Sequence, residues 1–135
     1  MNGRRAIPLL LLLLASPGGV FAQGQPPQPP PPEEPVFDPY HAEKSIEIGE
    51  HYMKKGNYDA AIDRFQLAVR YKPGFAKPYR LMGEAYEKKG EKAEAVKAYR
   101  KYLEILPSAE DAPKIKKRIE KLSKQLERTA RRRSG

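Results

Sequence analysis

The feature that most constrains this chain is a spacing of 34 residues. Gly49 and Gly83, Tyr52 and Tyr86, Gly56 and Gly90, Ala61 and Ala95, Phe65 and Tyr99, and Pro73 and Pro107 are each 34 positions apart. Every pair repeats a small, aromatic or chain-breaking residue, types whose places are set by close packing and backbone geometry. Between them the apolar period is helical. Ile46, Ile48, Gly49 and Tyr52 lead to a turn at Lys55-Gly56-Asn57; Ala60, Ala61, Phe65, Ala68 and Val69 mark a second helix that stops near Pro73-Gly74. The pattern restarts at Tyr79, Met82, Gly83 and Tyr86, turns at Lys89-Gly90, and runs through Ala95, Val96, Tyr99 and Tyr102 to Pro107. A repeat of this length describes a helical hairpin that cannot bury its apolar face alone and must stack on a neighbour. Glycine in each first helix and alanine in each second helix allow close approach, and the aromatics are expected to fill the gap between hairpins.

On these residues the chain resembles the tetratricopeptide repeat family, with one repeat at residues 42–75 and the next at 76–109. The resemblance implies an all-α fold of antiparallel helical hairpins stacked as a short right-handed α-solenoid. It assigns structural roles to Gly49, Tyr52, Ala61, Phe65 and Pro73, and to Gly83, Tyr86, Ala95, Tyr99 and Pro107. Three departures stand out. Ser45 replaces a large apolar residue, where the second repeat has Tyr79, and is expected to weaken the outer edge of the first hairpin. Tyr102 stands where the first repeat has the small Ala68. Arrays of this kind usually stack at least three repeats, and here there are two.

After Pro107, Ile115, Ile119, Leu122 and Leu126 form one apolar stripe, with Lys114, Lys116, Lys117, Arg118, Lys121 and Lys124 on the other faces. This spacing predicts an amphipathic helix over about 111–127 that packs on the second hairpin and caps a helical domain spanning 41–127. Residues 128–135, with Arg131-Arg132-Arg133, are expected to be a basic disordered tail. At the other end, residues 1–22 have the layout of a secretory signal peptide. Arg4 and Arg5 precede an apolar run from Ala6 to Ala15, and Val20-Phe21-Ala22 offers small residues before a cut at Gln23. That run is about half of what a membrane span needs. Residues 23–40, rich in proline, read as an extended, disordered linker. Export to the periplasm or the extracellular space follows as the expectation, with the product soluble or peripheral to the membrane and no transmembrane span after cleavage. Cleavage would remove two arginines and no acid, lowering the net charge from +9 to +7.

There are no cysteines, and His41 and His51 sit in no metal-ligand or nucleophile spacing. Gly56 and Gly90 are single hairpin glycines, not a phosphate cradle. The expected activity is therefore none, with no catalytic, metal or cofactor site and no cofactor. What remains is surface. The resemblance places Glu43, Ile46, Glu50, Met53, Lys54, Lys77, Arg80, Glu84, Glu87 and Lys88 on the concave side, as a candidate groove for a protein or peptide segment. The subgroup that grips C-terminal carboxylates has lysine in place of Ile46 and asparagine in place of Glu50 and Leu81, and Glu50 would repel such a ligand. The leading expectation is an interaction module or scaffold in the bacterial cell envelope. The alternative is a binder of anionic polymer, lipid headgroups or nucleic acid through the basic C-terminal part, where ten Lys or Arg face four Asp or Glu after Pro107. Nucleic acid is disfavoured, because that helix has no aromatic on which a base could stack.

Overall fold

The computed structural model describes residues 36–135; the expected signal peptide and the proline-rich stretch through residue 35 lie outside them. Five helices follow in order: α1 (Pro39–Lys54), α2 (Tyr58–Tyr71), α3 (Ala76–Lys89), α4 (Lys92–Ile105) and α5 (Ala112–Arg133). They pack as stacked antiparallel hairpins, the all-α class that the repeat implied. Each helix touches its chain neighbour, α1 on α2, α2 on α3, α3 on α4 and α4 on α5. No helix among the described residues is long and apolar enough to cross a membrane.

Local chemistry sets the boundaries. Asp38 caps α1, its side chain accepting from the His41 amide at 2.9 Å, and Pro39 takes the first turn, where a missing N–H costs nothing. The linker expected through residue 40 therefore ends earlier, at the Asp38 cap, and the Asp38 amide donates to the Tyr71 carbonyl at 2.8 Å. Asn57 caps α2 through the Ala60 amide. Gly56 and Gly90 adopt φ of 73° and 81°, the left-handed conformation these tight turns need. The C-terminal boundary also moves. α5 continues through Arg133, and residues 128–133 are helical rather than disordered. No proline or glycine interrupts the chain between Lys114 and Ser134, and three arginines in the last turn oppose the negative end of the helix dipole.

The core explains the repeat. A Cβ on Gly49 would overlap the Phe65 ring, and one on Gly83 would overlap the Tyr99 ring. Each aromatic is therefore pressed on the glycine of the preceding helix in its own hairpin, and it also joins the next element, Phe65 clustering with Leu81 and Met82 of α3 and Tyr99 with Ile115 and Leu122 of α5. One cluster joins Ala42, Ile46, Ala61, Phe65, Ala68, Leu81 and Met82; the other joins Ala95, Val96, Tyr99 and Tyr102 with Ile115 and Leu122 of α5. Ser45 is buried, yet its hydroxyl donates to the His41 carbonyl at 2.7 Å, so no unpaired polar group is left.

Candidate functional site

The inner faces of α1 and α3 carry the residues expected to form the groove, and they fall into two groups. Ile46 is a correction: it is 1% exposed and belongs to the core, so it lines no groove. Met53 is half-buried against the same core, and Lys54 and Lys88 are exposed. Around them the ion pairs are long. Glu43 lies 4.0 Å from Lys72, and Glu50 on α1 lies 3.7 Å from Lys77 on α3.

The second group is held by the protein itself. Arg80 donates to Glu84 at 2.7 Å and lies 3.7 Å from Asp111, just before α5. Arg118 of α5 reaches back to α3, 3.5 Å from Glu87 and 3.8 Å from Glu84. The same guanidinium donates to the Tyr99 hydroxyl at 3.0 Å, which in turn donates to Glu87 at 2.5 Å. The Tyr102 hydroxyl donates to Asp111 at 2.6 Å. Burial pushes the Tyr99 phenol well up, and the Glu87 carboxylate raises it further. Burial and then the Asp111 bond push Tyr102 up to about 12. Both phenols stay protonated near neutrality, so they anchor α5 as donors and supply no acid–base chemistry.

The structural positions of the repeat behave differently from the groove set. Ala61, Ala95, Phe65, Tyr99, Gly49 and Gly83 are buried, Tyr52 and Tyr86 pack on the core, and Pro73 and Pro107 are exposed just past α2 and α4. His41 is exposed and bonds Asp38 at 2.5 Å, and His51 is exposed on α1. No group of three or more His, Cys, Asp or Glu among the described residues is placed to hold a metal ion.

Two features escaped the sequence. One is the pair Asp111 and Arg118; its single trace is that Tyr99 replaces Phe65, adding a hydroxyl that needs a partner once buried. The other is on the opposite, convex side. A trough of about 870 Å³ runs between α2 and α4, lined by residues including Val69, Tyr79, Met82 and Tyr86.

Comparison with known proteins agrees with this architecture. The family model described as Regulator of microtubule dynamics protein 1-3 matches residues 40–127, the span from α1 into α5. The chloroplastic tetratricopeptide repeat domain-containing protein PYG7 of Arabidopsis thaliana is 33% identical over 61 residues, 45% of this chain and 20% of that protein. Small glutamine-rich tetratricopeptide repeat-containing protein 2 of Mycosarcoma maydis is 37% identical over 76 residues, 56% of this chain and 20% of that protein. The chain thus spans about a fifth of the length of these curated relatives. It belongs to the Regulator of microtubule dynamics protein 1-3 family, and its helical domain is related to tetratricopeptide repeat folds.

Proposed function

We propose that this member of the Regulator of microtubule dynamics protein 1-3 family is a non-enzymatic interaction module that holds a segment of another protein against the inner faces of α1 and α3. The carrying observation is the contrast in pairing on that face. Glu43, Glu50 and Lys77 are engaged only at 3.7–4.0 Å by partly exposed partners, beside half-buried Met53 and exposed Lys54. Exposed pairs of this kind contribute about 0–1 kcal/mol, so a partner can replace them at little cost. The layout of residues 1–22 supports export, which would place the module in the cell envelope. Intact mass of protein from the producing cell tests that part: a chain beginning at Gln23 is expected, and retention of Met1 to Ala22 would overturn it.

Recognition is tested by changing Met53→Ser and Lys77→Glu together and recovering partners from envelope extract. The variant should melt within about 1 kcal/mol of the parent and lose selected partners. Retention of the whole set would remove the inner face from recognition.

A second reading rests on α5. Lys114, Lys117, Lys121, Lys124 and Arg128 recur every three or four residues along one exposed helix face. Within that row, Lys124 bonds Glu120 at 2.6 Å, and the other four have no carboxylate partner among the described residues. Such a row attracts anionic polymer or lipid headgroups in a salt-sensitive way.

A further inference from the structure

We infer that the convex trough between α2 and α4 is a second binding site, taking an acidic amphipathic helix of a partner protein. It goes beyond the inner-face reading and uses none of its residues. The trough lies where α2 and α4, spaced apart, both pack on α3. That spacing leaves the outward side of α3 as a floor, where Tyr79, Met82 and Tyr86 lie beside Val69 and Val96. The trough is open and is flanked by two helices of 14 residues each. Helices of that length span about 20 Å. A third helix can lie along such a channel as ridges lie in grooves, with apolar residues at i, i+3, i+4 and i+7 meeting the floor.

The walls decide the charge of the occupant. On α4, Lys101 bonds Glu104 at 2.8 Å and Lys97 lies 3.9 Å from Glu94, so these charges are matched within the wall. Arg70 on α2 and Arg100 on α4 line opposite walls, are exposed, and have no carboxylate partner among the described residues. Guanidinium groups on both banks of an apolar floor suit a helix with carboxylates on both flanks of its apolar stripe, each able to take a forked pair. The same charges disfavour α5, with its many cations, as the occupant from a second copy.

The probe is a synthetic 16-residue helix with leucine at i, i+3, i+4 and i+7 spacing and glutamate on its flanks; a lysine-flanked counterpart is the control. Binding to the full chain is followed by fluorescence anisotropy, and the site by amide shifts in nuclear magnetic resonance. The glutamate probe should bind and shift Val69, Tyr79 and Tyr86, leaving Glu50 and Met53 unmoved. Changing Arg70→Glu and Arg100→Glu should weaken it by about tenfold or more, as loss of complementary charge does, and should let the lysine probe bind instead. Both changes are on exposed side chains, so an unchanged melting curve checks the fold. Four results would overturn the proposal: shifts on α5 or the inner face, equal binding of both probes, a loss under twofold in the double variant, or no binding. A concentration-dependent dimer that blocks the probe would also overturn it, by assigning the trough to a second copy.

Discussion

The two hairpins share a frame and differ in what their second helices offer the next element. In α2 the positions are Phe65 and Ala68, both wholly apolar and buried, and the neighbouring α3 closes over them by shape alone. In α4 the corresponding residues are Tyr99 and Tyr102, also buried, but each ends in a hydroxyl. Those hydroxyls reach Glu87 and Asp111, and Arg118 of α5 completes the set. The first hairpin is followed by another hairpin with its own apolar ridge. The second is followed by one lysine- and arginine-rich helix whose stripe holds just Ile115, Ile119, Leu122 and Leu126. Narrow apolar contact leaves orientation poorly determined, and buried hydrogen bonds to charged groups supply it.

Replacing Tyr102 with alanine tests this contrast most severely, since it installs the first hairpin's small residue in the second. Tyr102 is 6% exposed and packs against α5, so its loss leaves a cavity and takes away the hydrogen bond to Asp111. Removal of a large buried aromatic costs about 3–5 kcal/mol. Chemical unfolding should show a loss of that size, and limited proteolysis should cut α5 first. Loss below about 1 kcal/mol would mean that α5 is seated without this residue.

Next in size is Gly83→Leu, which attacks what the hairpins share. A side chain there meets the Tyr99 ring, and overpacking costs about 1–3 kcal/mol, with the upper end expected because the ring is itself pinned by Glu87 and Arg118. Gly49→Leu meets Phe65, which has no such tether and can give way more easily. The thermal melt should therefore fall further for Gly83→Leu than for Gly49→Leu; the reverse order would show that the hydrogen bonds do not stiffen the second hairpin.

A smaller effect separates the hydroxyl from the ring. Tyr99→Phe copies the first hairpin and should cost about 1 kcal/mol at neutral pH, the usual worth of such a bond. The pH dependence gives it a signature. The folded phenol holds its proton more tightly than the unfolded one, so its contribution is complete below pH about 10, the ordinary tyrosine value, and is lost as pH rises beyond it. Tyr102, raised to about 12, acts in the same direction and remains in the variant. Urea unfolding at successive pH values should show the parent losing its advantage over Tyr99→Phe above pH 10. A constant difference from pH 7 to 11.5 would place the phenol outside the network.

These residues also mark what the sequence could show. The 34-residue frame was legible because its glycines, alanines and aromatics have one physical use each, and the matched Gly49–Phe65 and Gly83–Tyr99 contacts occupy that use. That each aromatic would press on the glycine of its own hairpin as well as meet the next element was not legible, since either contact alone has the same period. Arg118 was hidden among neighbouring cations: Lys114, Lys116, Lys117 and Lys121 repeat at similar intervals, and nothing local tells which one bends inward. Its carboxylate partners lie on α3, more than thirty positions earlier in the chain. The concave set was read from the family frame, which places backbones but not ion pairs. Hence Ile46 fell into the core, and Arg80, Glu84 and Glu87 proved to be tied to α5. The convex trough had no sequence mark because its floor residues also pack on the core.

The smallest change in stability is expected where the contrast between anchored and free parts of α5 is sharpest. Beyond Leu126 every residue is exposed, and no ion pair involves residues 128–135 among the described residues. Removing residues 128–135 deletes the helical residues 128–133 and four arginines while leaving Ile115, Arg118 and Leu122 seated. Exposed helix without tertiary contact contributes little, so the loss of stability should stay within about 0.5 kcal/mol, accompanied by a small drop in helical signal. The second reading predicts a different readout for the same truncation. Binding to vesicles containing anionic lipid should weaken strongly at low salt and converge with the parent as ionic strength rises, because exposed cations act over a screening length of about 10 Å at 0.1 M. Capture of the inner-face partner should be unchanged. A truncated chain that binds anionic vesicles as well as the parent at low salt would confine that attraction to the Lys114–Lys124 row. A truncated chain that unfolds several degrees lower would instead show that the projecting arginines hold the fold, which the exposure of every residue beyond Leu126 argues against.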